Sequence, residues 1–374
     1  MAHPETLLAH AGCEPDPATG ALVSPPYLTT TYERAADGSY PHGFQYARTG
    51  NPTRVQLEET LRDFEGGAAC ATFASGMAAA MTVLQALPSD AHVLLPDDVY
   101  YGVRQLITDA FDAHALSATT VDMTDLDALA DAFRPTTQLV WAETPSNPML
   151  RITDLDAVAD LAHANDAVLL VDGTWTTPLL QRPLAHGADF VLHSVTKYLA
   201  GHSDVLGGAL VAADENGLFT RIRSIQETGG PVLDPFSAWL ALRGLRTLAP
   251  RLRLQCASAR RIAAFLDQHD RVAVVHHPSL AHHPGHDIAD RQMDDFGGML
   301  SFEVTGGQEA AVEVAARVAV FRRATSLGGT ESLIEHRASI EPDDSSTPDG
   351  LLRLSIGLEH VDDLIDDLTQ ALGG

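Results

Sequence analysis

The chain has 374 residues, 45% of them hydrophobic, and 24 Lys+Arg against 50 Asp+Glu give a formal net charge of -26 at pH 7. This acidity repels nucleic-acid phosphates, so we expect no nucleic-acid partner, and no apolar run approaches the roughly 18 residues of a membrane span. The acidity fits either adaptation to high salt or ordinary solubility.

The cysteines and the first residues bear on where the protein works. Cys13, Cys70 and Cys256 form no paired spacing, and the chain begins without a secretory signal. We therefore expect reduced thiols in a cytoplasmic protein. Cys70 lies in an apolar run, Ala68 to Phe73, where packing in a strand is its expected role. The length predicts two domains.

Residues 1 to about 50 carry little periodic pattern, and Asp37-Gly38 is a turn signal, so an extended arm is predicted. From Pro52 a helical pattern runs to Gly66. The apolar run that follows leads into Ser75-Gly76-Met77 and an alanine-rich helix. A strand, a turn and a helix N-terminus together form a ready phosphate site, although a simple helix cap has the same pattern.

Short apolar runs then alternate with helical stretches, which predicts a mostly parallel sheet covered on both faces. The runs are His92–Leu95, Gln138–Ala142, Ala167–Val171 and Asp189–Leu192. Ligands of such sheets bind where the strands end. Tyr100, Asn147, Asp172 and Lys197 each follow a predicted strand closely, so we expect the four side chains to converge on one cleft.

Lys197 is the only lysine of the chain. Arginine can replace lysine on a surface, but it cannot lose its proton near neutral pH or act as an amine nucleophile. The retained lysine is therefore a candidate for imine chemistry with an aldehyde or ketone. A single leftover lysine in an arginine-preferring genome is the alternative.

The second half predicts one long helix from Phe236 to Leu254, followed by strands and helices of a smaller domain. The predicted strands are Val272–Val275, Met299–Val304 and Leu352–Ile356, and the helices are Glu309–Val320 and a last one from Val361 to Leu372. Five histidines between His276 and His286 suggest a metal cluster. Prolines break the helical spacing that metal-binding histidines use, so we predict a polar surface loop and no metal.

Eight segments together resemble the pyridoxal-phosphate (PLP) enzymes of cysteine and methionine metabolism, the cystathionine γ-synthase and γ-lyase family. They are Tyr46–Arg54, Ser75–Met77, Asp97–Tyr100, Glu143–Pro148, Val171–Asp172, His193–Gly208, Ser326–Ile334 and Leu352–Glu359. The resemblance implies an α/β protein of PLP-dependent transferase fold type I, aspartate aminotransferase-like, with a large, mostly parallel seven-stranded sheet and a smaller C-terminal α+β domain. The domains it implies are an arm (1–50), a PLP-binding domain (51–235) and a small domain (236–374).

The same resemblance implies the site residues and the cofactor, pyridoxal 5'-phosphate. The cofactor residues are Tyr46, Arg48, Ser75, Gly76, Met77, Tyr100, Asn147, Asp172, Ser194, Thr196 and Lys197; of these, Lys197, Tyr100 and Asp172 are catalytic. The substrate residues are Arg353, Ser326, Asn147, Thr325 and Arg337. Asp172 would hold the pyridine nitrogen protonated, Arg353 would bind the substrate α-carboxylate, and Tyr101 leaves the assignment between the two tyrosines open.

The resemblance also implies a homotetramer, a dimer of dimers, in which Tyr46 and Arg48 complete the site of a neighbouring subunit. The alternative for Arg48 is a surface salt bridge, and that for Arg353 is a structural ion pair.

The predicted activity is that of a PLP-dependent carbon–sulfur lyase, cystathionine γ-lyase, acting on a small-molecule sulfur amino acid. A γ-synthase or an O-acylhomoserine sulfhydrylase remains open, because Thr325 replaces a glutamate common in cystathionine-handling members and Thr49 replaces a basic residue common in synthases. A non-catalytic PLP-binding protein and an aminotransferase are more distant alternatives.

The residues after Ile334 depart from the family pattern. Arg337 and Glu341 stand where the family has a proline-containing stretch and a Met-Thr-His. Our hypothesis is that these two charges recognise the distal end of the substrate, and a surface ion pair is the alternative.

Overall fold

The structure is a computed structural model that describes residues 3–111, 116–341 and 345–373. Its larger sheet has seven strands in the order β1-β7-β6-β5-β4-β2-β3. The strands are β1 Ala69–Phe73, β2 His92–Pro96, β3 Ser117–Val121, β4 Thr137–Glu143, β5 Val168–Asp172, β6 Phe190–Ser194 and β7 Gly208–Ala212. Strand β7 runs antiparallel to both of its neighbours, and the remaining pairs are parallel.

Helices cover this sheet on both faces, as the continuous apolar runs of its strands require. They are α1 Pro4–Ala9, α2 Pro52–Glu65, α3 Gly76–Ala86, α4 Tyr101–Phe111, α5 Leu126–Ala132, α6 Leu155–Ala164, α7 Thr177–Leu180 and α8 Gly217–Gly229. The Asn51 side chain caps the start of α2, and Gly66 ends that helix in a left-handed conformation. The Ser75 side chain caps α3, which aims its N-terminus at the edge where β5 and β6 end.

The second sheet has five strands in the order β10-β11-β12-β9-β8. They are β8 Val272–His276, β9 Met299–Val304, β10 Arg322–Arg323, β11 Leu333–His336 and β12 Leu351–Ser355. The accompanying helices are α9 Pro235–Leu245, α10 Leu248–Leu266, α11 His286–Gln292, α12 Gly307–Arg317 and α13 Val361–Leu372. Apolar residues of α10, α12 and α13 pack on this sheet as a separate core.

The fold class predicted from the sequence is confirmed, and each strand predicted in the first half lies within two residues of an observed one. The domain boundaries at residues 50 and 235 stay a prediction. Strands β3, β7, β10 and β11 were missed. Strand β3 is half exposed and polar, and β10 has only two residues, so neither has a clear apolar pattern. Residues 3–50 include the short helix α1 but are otherwise largely irregular.

The single long helix predicted from Phe236 to Leu254 is wrong, because the chain breaks it between α9 and α10. Pro250 explains the break: its ring would clash with the carbonyl of Arg246, four residues earlier, in a continuous helix. Near the N-terminus of a new helix the same proline is tolerated, since the first helical N–H groups have no partner there.

The histidine-rich segment is not wholly a surface loop, which corrects the prediction. His277 and His283 are buried, His276 contacts Glu303, and only His282 is largely exposed. Among the described residues, no group of three or more His, Cys, Asp or Glu side chains is arranged to hold a metal ion. None of the helices in the described ranges is both long and apolar enough to cross a membrane.

Candidate active site

A cavity of about 220 Å³ lies between the two sheets, at the edge where β5 and β6 end. It brings together most of the residues predicted for the site: Ser75, Gly76, Met77, Tyr100, Asn147, Asp172, Ser194, Thr196, Lys197, Thr325, Ser326, Arg337 and Arg353. Tyr46 and Arg48 are not among its lining residues. The larger sheet supplies the first nine and the segments around β11 and β12 supply the last four, so the site needs both sheets.

Lys197 follows β6 in a tight turn, and its amine lies inside the cavity. Its Nζ donates a hydrogen bond to Ser326 Oγ at 2.8 Å. Burial lowers the pKa of Lys197 to about 8, with Arg353 and Arg337 adding to the decrease and Glu335 opposing it. About half of this amine is therefore neutral near pH 8, as a nucleophile or a proton acceptor must be.

Asp172 ends β5 and faces the same cavity. Its Oδ1 accepts the backbone N–H of Thr174 at 2.9 Å, and burial raises the pKa of its carboxyl despite that bond. A cationic ring nitrogen is the kind of partner that stabilises such a buried carboxylate.

Glu143 is a functional candidate to which the sequence interpretation gave no role. It ends β4 directly beside Asp172, in register with it, and its Oε2 accepts the backbone N–H of Tyr100 at 2.9 Å. Burial, with the neighbouring Asp172 charge, raises the pKa of Glu143 well above its usual range. Glu143 therefore fixes the backbone of Tyr100 at the edge of the cavity. An acidic residue closing an apolar strand was the available signal.

The two tyrosines both face the cavity, which explains why the sequence left their assignment open. Their ring centroids lie 5.1 Å apart and their planes are tilted by 58°. Burial raises the pKa of Tyr100, and the Tyr101 ring adds to that effect. Tyr101 also lines a second cavity farther out, so Tyr100 is the inner of the two.

The N-terminus of α3 forms one end of the cavity and has room for an anion. A Cβ built on Gly76 would lie 3.2 Å from the Cβ of Ser194, so only glycine leaves this approach open. The Thr196 hydroxyl faces the same cavity and exchanges hydrogen bonds with Gly207 at 3.0 and 3.2 Å. Backbone N–H groups, a helix dipole and hydroxyls suit a phosphate group.

Arg353, in the centre of β12, is 4% exposed and is held on several sides. Its Nη1 donates to Asn147 Oδ1 at 2.8 Å, and its Nη2 donates to Glu335 Oε2 at 2.6 Å and to the carbonyl of Ser326 at 3.3 Å. Ser326 adopts a left-handed backbone, φ 94°, which is strained for a residue with a side chain. That strain turns its carbonyl to Arg353 while its hydroxyl meets Lys197.

Arg337 is 2% exposed, so the surface ion pair considered as its alternative does not describe it. It pairs with Glu335 and Glu341 inside the protein while still lining the cavity. Thr325, next to Ser326, also lines the cavity. Glu335, whose side chain is 10% exposed, is a second carboxylate of the site that the sequence interpretation missed.

Tyr46 and Arg48 lie outside this chain's own cavity. Tyr46 is 45% exposed, and the guanidinium of Arg48 lies 5.6 Å from the centroid of its ring. Arg48 also donates to the backbone carbonyl of Glu227.

The residues present fit pyridoxal phosphate. An anion cradle at Gly76, an amine at Lys197 and a carboxylate at Asp172, all facing the cavity, suit its phosphate, its aldehyde and its pyridine nitrogen. The buried indole Nε1 of Trp141, which also lines the cavity, has no hydrogen-bond partner in the described chain. Fold and site together define the class of enzyme whose site suits this cofactor, with Lys197 as the candidate amine for its aldehyde.

Comparisons with known proteins agree with that class. The family model "Cys/Met metabolism PLP-dependent enzyme" matches residues 5–373. Cystathionine gamma-synthase of Mycobacterium tuberculosis (strain ATCC 25618 / H37Rv) is 48% identical over 377 residues, 99% of this chain and 97% of the relative. Cystathionine beta-lyase of Lactococcus lactis subsp. cremoris is 43% identical over 376 residues, 98% of each chain.

Among solved structures, cystathionine gamma-lyase from Lactobacillus plantarum complexed with L-serine has a TM-score of 0.94 at 38% identity, over 99% of this chain and 98% of that one. The chain therefore belongs to the Cys/Met metabolism PLP-dependent enzyme family. Its cofactor is pyridoxal phosphate, and the three relatives above carry the names cystathionine gamma-synthase, beta-lyase and gamma-lyase.

Proposed function

We propose that the protein is a cystathionine γ-lyase, which converts L-cystathionine and water to cysteine, 2-oxobutyrate and ammonia. One observation carries the proposal beyond the family. The cavity of Lys197 adjoins an outer cavity of about 470 Å³, and Tyr101 and Asn147 line both. Two joined cavities suit a substrate with an amino-acid group at each end, which cystathionine has.

The outer cavity has the polarity that a second amino-acid group needs. Asp97 and Asp98, which also pair with Arg151, line it as carboxyl groups that attract an ammonium group, and Arg104 adds a positive charge to the same wall. The hydroxyls of Ser345 and Thr347 complete its wall.

Each inner residue then has a role. Bound pyridoxal phosphate supplies an electron sink for the bonds at the substrate α carbon. Arg353 would bind the α-carboxylate, Asp172 would keep the pyridine nitrogen protonated, and Tyr100 would pack against the cofactor. The Lys197 amine would take the α proton and later a proton from the β carbon. As the Cγ–S bond breaks, a Cβ–Cγ double bond would form and the sulfur would take a proton and leave as the thiol of cysteine. Return of a proton to the γ carbon and hydrolysis with water would then give 2-oxobutyrate and ammonia.

We also propose that Tyr46 and Arg48 complete the site of a neighbouring subunit in a homotetramer. Both lie away from the cavity of their own chain, and Arg48 is a guanidinium suited to a phosphate. They end an arm whose exposed apolar side chains, among them Leu22 and Leu28, suit burial against another copy.

A γ-synthase is the second candidate, because the relative of 48% identity carries that name. It would join cysteine to an O-acylhomoserine with loss of the acyl group as its acid. The same two cavities would then hold cystathionine as product.

Product analysis separates these reactions. Purified protein is given L-cystathionine alone, and then O-acetyl- or O-succinylhomoserine with cysteine or with sulfide. We expect 2-oxobutyrate and cysteine from cystathionine as the fastest reaction. Pyruvate and homocysteine would identify a β-lyase, and faster formation of cystathionine or homocysteine from acylhomoserines would identify a synthase or a sulfhydrylase.

A Lys197→Ala variant is the control for all of these assays. It should lose the absorbance of lysine-bound cofactor and at least about 1,000-fold of the activity, because no other side-chain amine exists in the chain. Retention of a borohydride-stable cofactor adduct in this variant would reject the assignment of Lys197.

A further inference from the structure

Arg337 stands where the family pattern has a different residue, and its hydrogen bonds in the structure go to two carboxylates of the protein, Glu335 and Glu341. The inference below rests on the proposed function, since it concerns how the same cavity binds an α-amino acid. All three guanidinium nitrogens of Arg337 already donate to protein carboxylates. Nη1 bonds Glu335 Oε2 at 3.0 Å, while Nε and Nη2 bond Glu341 Oε1 at 3.0 and 2.7 Å.

One oxygen joins Arg337 to the α-carboxylate clamp. Glu335 Oε2, which Arg337 binds, also accepts Arg353 Nη2 at 2.6 Å. Glu335 and Arg353 face each other across β11 and β12 in register. The two arginines therefore share one carboxylate, and the negative charge of Glu335 is divided between them.

Glu341, at the other end of this network, has hydrogen-bond partners besides Arg337. Glu341 Oε2 accepts the hydroxyls of Ser345 and Thr347, each at 2.5 Å. Burial opposes its ionisation, yet these hydroxyls and Arg337 lower the pKa of Glu341 below its usual value. Glu341 is therefore an anion that keeps Arg337 directed at Glu335.

The charges of Arg337 and Glu335 act on both Lys197 and Arg353. Arg353 must attract a substrate carboxylate, and Glu335 at 2.6 Å would cancel that attraction if it were bound to Arg353 alone. Both arginines lower the pKa of Lys197, and Glu335 raises it. Removing Arg337 would thus leave the Glu335 charge acting on Arg353 and Lys197 without compensation.

We propose that Arg337 is a positioning residue that shares Glu335 with Arg353, leaving Arg353 cationic enough to bind a substrate α-carboxylate and Lys197 neutral enough to accept a proton. Arg337 sets substrate affinity and pH dependence without touching the substrate. Its partners Glu335 and Glu341 act through it.

The first test measures binding in the holoenzyme. Glycine, which has an α-carboxylate and no distal group, is titrated against the absorbance of bound cofactor. In Arg337→Met the dissociation constant of glycine should rise by about tenfold or more, because the charge of Glu335 then offsets that of Arg353 alone. The doubly substituted Arg337→Met/Glu335→Gln protein should recover to within roughly threefold of the wild type, since Glu335 is the carboxylate bonded to Arg353 and its charge is gone, whereas Glu341 is not bonded to Arg353.

The second test uses the chain's only lysine. In protein stripped of cofactor and labelled at lysine Cε with carbon-13, one side-chain signal reports Lys197. Its titration midpoint should lie at about 8 in the wild type, rise in Arg337→Met and return in the double variant. Arg322→Met is the matched control: this exposed arginine lies on β10 of the same sheet and should change neither result.

The outcomes are decisive. Unchanged glycine affinity and an unchanged Lys197 midpoint in Arg337→Met would overturn the proposal. A single variant that loses cystathionine binding but keeps glycine binding would overturn it in favour of direct contact with the distal group. Arg337→Gln, which keeps a hydrogen-bond donor toward Glu335 without the charge, gives the same readouts if the methionine variant fails to fold. The Lys197 midpoint does not depend on the reaction, so it separates failure of this proposal from failure of the proposed function.

Discussion

Two buried histidines give this protein a sensitivity to acid that is separate from its catalytic groups. Burial lowers the pKa of His277 to about 4, and burial with the neighbouring His276 charge lowers that of His283 to about 4. An unfolded chain takes up these protons near pH 6.5, the usual histidine pKa. Between about pH 6.5 and 4 the unfolded state therefore binds more protons than the folded state, so stability falls as the pH falls.

We predict that His277→Gln flattens this loss. The wild type should lose up to roughly 3 kcal/mol of unfolding free energy per buried histidine between pH 7 and 4, and the variant should lose about that much less. Urea unfolding at a series of pH values measures it. His282→Gln, which removes the exposed histidine of the same segment, is the control. Equal slopes for the wild type and His277→Gln would contradict the prediction.

The candidate site residues differ in how easily the sequence reveals them. Lys197 stands out as the only lysine, Asp172 as an acid after an apolar run, and Arg353 as a cation within one. Glu335 has the same kind of position, but it resembles a solvated residue until β12 places Arg353 beside it. Burial by another element is invisible to local pattern, and so this partner of Arg353 could not be predicted.

At the scale of elements, the contact between β7 and the start of α3 positions the anion cradle. Gly208 begins β7 directly beneath the Ser75–Gly76 turn. A Cβ at position 208 would overlap the Ser75 carbonyl and lie 2.8 Å from the Gly76 nitrogen. The sequence shows Gly207-Gly208 as part of a motif, but it does not show which backbone approaches them.

Gly208→Ala should therefore displace the N-terminus of α3. We expect a loss of about 1–3 kcal/mol in stability and a weaker hold on pyridoxal phosphate, because overpacking moves the N–H groups that bind the anion. Thermal unfolding and cofactor retention after dialysis measure the two effects. Gly217→Ala is the matched control, since a Cβ there meets nothing within 4 Å. Cofactor retention equal to that of the control would refute the proposed geometry.

At the scale of the whole molecule, the arm sets a prediction about assembly. If Tyr46 and Arg48 complete a neighbour's site, a Lys197→Ala subunit and an Arg48→Ala subunit carry defects that can be separated. In a mixed pair, one site has both defects and the other has neither. Each variant alone should be nearly inactive.

Mixing the two variants after denaturation, and refolding them together, should restore about a quarter of wild-type activity for random pairing. Refolding each variant alone is the control for recovery. No gain on mixing would show that Arg48 serves its own chain or no site at all. The tetramer itself is tested by light scattering on the wild type.

The whole-molecule architecture was the most predictable level, because apolar runs and their order carry it. The small sheet was only partly predicted, since β10 and β11 are short and the long helix leading to it is broken by Pro250. The seam between the two sheets, where the site lies, depends on both.

The single lysine, buried at that seam, also makes the chain an unusual substrate for lysine-specific reagents. An endoproteinase that cuts only after lysine has one peptide bond to attack, and it follows a residue enclosed between the sheets. The rate of cleavage after Lys197 by such an enzyme would therefore report how often the cleft opens. Cross-linkers that join lysine amines would find no lysine on the outside of the folded chain.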